Sequence, residues 1–124
     1  MADRSDPVHQ ASRSERDMWL TKGGSLLTSN YVVDETLTLI RMRLGMDAAE
    51  NWWNMLSQSS RLNIEWIHPH RAELARVWFF KWRDQHFSFT DCTSFVVMQE
   101  LSLDQVLTSD HHFRIAGFEV LPAL

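Results

Sequence analysis

Short apolar segments of strand length alternate along this chain with longer segments of helical pattern, and this alternation limits the possible folds. The segments predicted as strands are residues 25–28, 62–66, 105–109 and 118–120. Between them, apolar side chains recur at intervals of three and four residues, which is typical of helices. Helices between short apolar strands predict an α/β fold with a parallel sheet covered on both faces.

The helical segments are bounded by residues that commonly start or stop helices. Helices are predicted over residues 6–19, 33–44, 47–59, 69–82 and 91–101, with a short helical turn at 111–115. Asp6-Pro7 is a typical start, so the first helix is expected to run through Trp19 and to stop at Gly23-Gly24. Asp47 with Glu50 is a capping-box pattern that predicts the start of the third helix. No repeat or linker-like stretch interrupts the pattern, and a single domain is expected over residues 1–124.

The size and charge of the chain narrow its class. Its 124 residues are enough for one core and too few for two domains. The formal net charge of −4 gives no overall attraction for nucleic acid, although a local basic patch remains open. No apolar run approaches the roughly 20 residues of a membrane-spanning helix. The single cysteine, Cys92, cannot form an intrachain disulfide, so we expect a reducing, cytoplasmic location.

Three acidic residues occupy positions that meet at one edge of a parallel sheet. Glu35 lies shortly after the first predicted strand, Asp91 opens the helix before the third, and Asp110 directly follows the third. In open α/β sheets the functional site lies beyond the carboxyl ends of the strands. Clustered carboxylates favour Mg²⁺ or Mn²⁺, which could polarise a phosphoryl group or activate water for phosphodiester cleavage. A structural alternative is that Thr90 or Asp91 caps the helix and that Glu35 complements the helix dipole.

Three segments of the sequence resemble a known family. They are Y-V-V-D-E-T-L-T-L-I-R-M-R-L-G from Tyr31, F-S-F-T-D-C-T-S-F-V-V-M from Phe87 and L-T-S-D-H-H-F-R-I-A-G-F from Leu107. In this order and spacing they resemble the PIN domain (PilT N-terminal domain), and more narrowly the VapC-type toxins of bacterial toxin–antitoxin pairs, over about residues 2–120. The resemblance implies a three-layer α/β/α fold with a central parallel sheet. It also implies a Mg²⁺- or Mn²⁺-dependent ribonuclease that forms a homodimer and is inhibited by a small antitoxin protein.

The family's metal-binding acids can be carried over one by one. Its Glu matches Glu35 and its two later Asp residues match Asp91 and Asp110, so the resemblance makes these three both catalytic and metal-ligating. The family's fourth acid belongs to a first strand reading roughly V-D-T, in the middle of the sheet. Here Met1 falls after the place where that strand should end. The resemblance therefore supplies three of the four expected acids.

A missing first strand is expected to leave a gap in the middle of the sheet. Each unmet buried backbone group costs about 1–3 kcal/mol, so such a chain would be marginally stable. Three outcomes are open: the natural start lies upstream, a partner chain fills the gap, or the sheet closes up. The first is favoured, and it predicts little ribonuclease activity until an upstream strand ending in Asp is added. The alternative to a ribonuclease is a catalytically silent PIN-like module that acts only by binding protein or RNA.

Histidines and basic residues give weaker signals. His68-Pro69-His70 and His111-His112 suggest zinc, but this spacing alone is not specific, and the last two histidines could simply border the acidic pocket. The basic residues that could either meet RNA or form solvated helix faces are Arg41, Arg43, Arg76, Lys81 and Arg83.

A pair of adjacent tryptophans bears on oligomeric state. Trp52 and Trp53 lie on one predicted helix, where neighbouring residues point about 100° apart. A single core can hardly bury both rings, so one is expected to face a second copy of the chain or a bound peptide. This agrees with the homodimer that the resemblance implies.

Overall fold

The computed structural model describes residues 19–22, 25–108 and 110–121. The strands are β1 (Trp19–Lys22), β2 (Ser25–Ser29), β3 (Leu62–Glu65), β4 (Gln105–Leu107) and β5 (Glu119–Leu121). The helices are α1 (Asn30–Leu44), α2 (Met46–Gln58), α3 (Pro69–Lys81), α4 (Phe89–Glu100) and α5 (His112–Ile115). All four predicted strands are therefore present, and so is every helix predicted after the first, with shifts of a few residues at the ends.

The strands form one sheet in the order β3-β2-β1-β4-β5. β2 pairs in parallel with β3, and β4 pairs in parallel with β5. β1 runs antiparallel to both of its neighbours, β2 and β4. The other four strands therefore point in one direction, and their carboxyl ends share one edge of the sheet. This confirms the predicted α/β fold, and the central antiparallel strand is an addition to the predicted parallel sheet.

Two helix pairs pack with the sheet, each around its own core, in the three-layer α/β/α arrangement. The core of α1 and α2 consists of Val33, Ile40, Ala49, Trp52 and Leu56, against which Leu62 and Ile64 of β3 pack. The larger core joins α3 and α4 to β2 and β4. At its centre, fully buried Phe95 contacts the rings of Trp78, Phe87, Phe113 and Phe118, with centroids 5.0–5.7 Å apart. This core anchors α4, the helix that carries Asp91.

β1 fills the position in the sheet that was expected to be empty. Leu20 pairs with Leu27 of β2 and with Val106 of β4, so both neighbouring strands have a partner on that side. The prediction of a gap is therefore wrong, because within the described residues the chain itself supplies a central strand. The carboxyl end of β1 lies at the opposite edge from those of β2 and β4, and its residues W-L-T-K include no acid.

The first predicted helix is wrong at its carboxyl end, because Trp19 lies in β1. The rest of that prediction, residues 6–18, lies outside the described residues. Gly23-Gly24 was interpreted as a helix stop, but two glycines between strand-length segments also indicate a hairpin. Every residue of β1 pairs with β2 or β4, and Leu20 pairs with both, and such tertiary pairing outweighs a weak local helix signal.

The turn between α1 and α2 depends on a glycine. Gly45 has a φ angle of 96°, which residues with a side chain rarely adopt, and its N–H donates to the carbonyl of Arg41 at 3.0 Å. The predicted stop at Gly45 is confirmed. The predicted capping box is wrong, because α2 begins at Met46 with Gly45 as its N-cap and without a side-chain cap hydrogen bond. Asp47 lies instead in the first turn of α2.

Candidate active site

Glu35 lies in the second turn of α1, which begins directly at the carboxyl end of β2. Ser29 is the N-cap, and its hydroxyl accepts a hydrogen bond from the N–H of Val32 at 3.2 Å. This cap satisfies one of the free N–H groups of the first turn and fixes where the helix begins. The half-buried Glu35 side chain is hydrogen-bonded to Thr90, in the first turn of α4. Glu35 is thereby held at the carboxyl edge of the sheet.

Asp91 is the third residue of α4, and only 4% of it is exposed. The N–H of Ser88 donates to Oδ2 of Asp91 at 3.0 Å, and the N–H of Asp91 donates to Oγ of Ser88 at 2.9 Å. In this reciprocal capping box Ser88 is the N-cap and Asp91 is its partner at the third helical position, so Asp91 takes part in capping as predicted, whereas Thr90 is not the N-cap. The capping box also fixes the orientation of the Asp91 carboxylate.

Asp110 lies in the turn between β4 and α5. Its N–H donates to Oγ1 of Thr108 at 3.0 Å, and its own Oδ1 accepts from the N–H of His112 at 2.9 Å. A side chain that accepts from the backbone two residues further on forms an Asx-turn, which restricts the carboxylate to a narrow range of positions. The turn presents this carboxylate next to the start of α4.

His112 connects the two aspartates. Its Nδ1 lies 3.0 Å from Oδ2 of Asp91 and 3.2 Å from Oδ1 of Asp110. Its ring also packs edge-on against buried Phe87, with centroids 5.6 Å apart. The prediction that the histidines border the acidic pocket therefore holds for His112. Its bond to Asp91, 21 residues away, could not be read from a local pattern.

Burial and the charges of neighbouring carboxylates act on Glu35 and Asp91. Burial raises the pKa of Glu35, the charges of Asp91 and Asp110 raise it further, and the hydrogen bond with Thr90 opposes the rise. Burial also raises the pKa of Asp91, against the hydrogen bond from the Ser88 N–H, and Asp110 adds to the rise while His112 opposes it. The structure thus brings together all three acids that the sequence singled out.

The donor set fits a hard divalent cation. Glu35, Asp91 and Asp110 supply carboxylate oxygens, which Mg²⁺ and Mn²⁺ prefer as ligands. Burial and neighbouring carboxylate charge raise the pKa of both Glu35 and Asp91, and a nearby positive charge would stabilise these two groups in their charged form. The electrostatics and the chemistry of the donors are therefore both suited to a bound metal ion.

His68 and His70 belong to a different part of the surface. They line a groove of about 390 Å³ with Trp66 and Arg71. The Arg71 guanidinium forms ion pairs with Glu100 and Glu65 at 2.9 and 3.1 Å, and the pair with Glu100 joins segments too far apart in the sequence to leave a local pattern. The basic residues singled out from the sequence are exposed helix or turn residues.

Comparison with known proteins finds no match among models of protein families. Two curated proteins, both named 23S rRNA-specific endonuclease VapC20 and from two strains of Mycobacterium tuberculosis, are 33% identical over 106 residues. The matched region covers 85% of this chain and 80% of each relative. The chain belongs to the VapC-type PIN-domain ribonucleases. This VapC-type family is generally dependent on divalent metal ions.

A solved VapC structure agrees with this assignment. The crystal structure of Mycobacterium tuberculosis VapC20, described as a toxin that cleaves the sarcin–ricin loop, superimposes with a TM-score of 0.73 at 32% identity. The match covers 78% of this chain and 74% of the other. Both the predicted family and the predicted PIN fold are thereby confirmed. Of the helices in the described ranges, none has the length and apolar character needed to cross a bilayer.

Proposed function

We propose that this chain is a divalent-metal-dependent endoribonuclease, the toxin of a type II toxin–antitoxin pair. The observation that carries the proposal is the gathering of Glu35, Asp91 and Asp110 at the carboxyl edge of the sheet in a VapC-type fold. An acidic cluster at this edge matches the general position of functional sites in α/β sheets. Family membership supports RNA as the substrate and an antitoxin protein as a partner.

The roles of the residues follow from their contacts. Glu35, Asp91 and Asp110 would hold Mg²⁺ or Mn²⁺, which supplies charge stabilisation at a phosphoryl group and activation of water when bound. The Ser88 capping box and the Asx-turn at Asp110 keep two of these carboxylates in place before any ion binds. His112 spans both aspartates and orients them relative to each other. The residues around the carboxylates therefore act by prearranging the site, as the hydrogen-bonding partners of metal ligands do.

The first RNA to test is suggested by the relatives. VapC20 is named as specific for 23S rRNA and is described as cleaving the sarcin–ricin loop. We propose a structured ribosomal RNA loop of this kind as the substrate class of the present chain. The net charge of −4 argues against tight binding through overall charge, so recognition would depend on local contacts and on the metal.

The decisive experiment measures cleavage of a fluorescently labelled sarcin–ricin loop RNA in Mg²⁺, in Mn²⁺ and in excess chelator. Cleavage is expected with metal and not with chelator. Asp91→Asn should lower the rate at least about 100-fold, because even indirect metal contacts are worth about 10–100-fold. Asn still offers an oxygen to the Ser88 N–H, so the helix start should survive. Asp47→Asn, an exposed acid in the first turn of α2, is the matched control and should cleave normally.

Two other results would redirect the proposal. If Asp91→Asn cleaved RNA at the normal rate in the presence of metal, Asp91 would not be one of the metal ligands. Binding of the RNA or of an antitoxin without cleavage in either metal would favour the catalytically silent PIN-like module. Calorimetric titration with Mn²⁺ distinguishes a ribonuclease from a silent module. A ribonuclease should bind the ion, whereas a silent module with an incomplete site should bind it poorly.

The remaining parts of the proposal are a homodimer and a cytoplasmic location. The first rests on the family's common assembly and on the exposed Trp53 of α2. The second rests on the single, buried and unpaired Cys92, which is compatible with a reducing compartment.

A further inference from the structure

A second group of possible metal ligands overlaps the acidic cluster at Asp110. Asp110, His111 and His112 each offer one ligand atom, and these atoms all lie within 4.8 Å of one another. The Asp110 oxygen and the Nδ1 of His112 are already 3.2 Å apart. The rings of His111 and His112 are 4.7 Å apart and inclined by 53°. Neither imidazole belongs to the oxygen-only set that suits Mg²⁺.

Two imidazoles and one carboxylate favour a different class of ion. Imidazole nitrogen suits Zn²⁺ and other borderline transition-metal ions, whereas Mg²⁺ selects oxygen. Ligand atoms of one tetrahedral Zn²⁺ lie about 3.3 Å apart, given Zn–N and Zn–O bonds of about 2.0–2.2 Å. The Asp110–His112 pair already has this separation, and His111 is exposed, so rotation of its ring can bring the third donor in.

We propose that Asp110, His111 and His112 form a Zn²⁺ site with an open fourth position. Three protein ligands and one open position are a common arrangement for zinc in proteins. The Asx-turn between Asp110 and the His112 N–H holds two of the ligands together before the ion arrives. His112 would exchange its contact with Asp91 for the ion, so zinc also loosens the arrangement of the two aspartates.

The functional consequence rests on the function proposed above. If Asp110 holds Mg²⁺ or Mn²⁺ together with Glu35 and Asp91, one carboxylate serves two mutually exclusive ions. Zn²⁺ then inhibits the ribonuclease by removing Asp110 from the oxygen-ligand set. Inhibition by zinc and activation by the hard ion become competitive.

Binding is tested first, without RNA, by letting the purified chain compete for Zn²⁺ with a zinc-responsive dye. The chain is expected to take up one Zn²⁺, and His111→Ala should weaken binding at least about tenfold because it removes a direct ligand. His70→Ala is the matched control, since this exposed histidine lies in the separate groove, and it should bind zinc normally. Equal affinity of His111→Ala and the unchanged chain would overturn the site. So would equal losses from His111→Ala and His70→Ala.

Inhibition is tested next, in the Mn²⁺-supported cleavage assay. Zinc should inhibit the unchanged chain, and His111→Ala should need at least about tenfold more zinc for half inhibition while its zinc-free rate stays the same. If the chain bound zinc as expected but cleaved no RNA with any metal, the zinc site would be supported and the proposed function would be refuted. A cleavage rate that does not change when zinc is added would refute the competitive zinc site and leave the proposed function intact.

Discussion

At the scale of single residues, Asp91 takes part in capping a helix and also lies in the acidic cluster. Its backbone and side chain form the capping box with Ser88, and its Oδ2 also meets His112. An acid near a helix start was predictable from the run of polar residues before an apolar helix. The true N-cap was not, because Ser88, Thr90 and Asp91 are all good capping residues and only the tertiary position of α4 selects among them.

The capping box gives a prediction about stability. Ser88→Ala removes the hydroxyl that accepts from the Asp91 N–H, and the free energy of unfolding should fall by about 1 kcal/mol. Urea denaturation followed by circular dichroism measures the change. Ser59→Ala, at the carboxyl end of α2, is the control and should be close to neutral. Equal losses from the two substitutions would mean that the Ser88 hydroxyl contributes nothing specific.

At the scale of elements, most strands and helices followed from their periodicity, whereas β1 did not. Periodicity shows which face of a segment is apolar, but the four residues of β1 are too few to give a clear pattern. Its place between β2 and β4 depends on pairing with a strand at the far end of the chain. Such a partner leaves no local signal, and the one local hint, Gly23-Gly24, fits a helix stop as well as a hairpin.

The central position of β1 can be tested with a proline. Leu20→Pro removes a backbone N–H from a strand that has partners on both sides, and it should lower the free energy of unfolding by at least about 1–3 kcal/mol. Leu20→Val keeps the N–H and suits a strand, so it is the control. Denaturant midpoints of the two variants give the comparison. A proline variant as stable as the valine variant would show that β1 is not part of the sheet.

At the scale of the whole molecule, adjacent tryptophans are divided between core and surface. Trp52 is buried at 5% exposure, whereas Trp53 is 45% exposed. The sequence predicted that one ring would stay outside the core, and the structure identifies it. Met46, seven residues before Trp53 and therefore on the same side of the helix, is also exposed, which gives that side of α2 an apolar surface. The periodicity of the sequence does not show which molecule covers that surface, because core and interface positions are both apolar.

A homodimer through this surface has a direct test. The unchanged chain should scatter light with twice the 14.6 kDa mass of one chain, and Trp53→Glu should shift the mass to that of a single chain. A buried charge without a partner is costly, which is the reason for choosing Glu. Trp66→Glu, at an exposed tryptophan outside α2, should remain dimeric. A dimer that survives Trp53→Glu would place the contact elsewhere.

The antiparallel strand at the centre of the sheet also bears on the order of folding. β1 and β2 are neighbours in sequence and can pair early, whereas β1 meets β4 only after most of the described chain has been synthesised. Contacts between distant segments form slowly, because a long loop must close first. Asp110 follows β4, so we expect docking of that strand against β1 to bring Asp110 to the acidic cluster in the same step. A partly folded chain would then carry Glu35 without Asp110 beside it, so the acidic cluster would stay incomplete until synthesis is nearly finished.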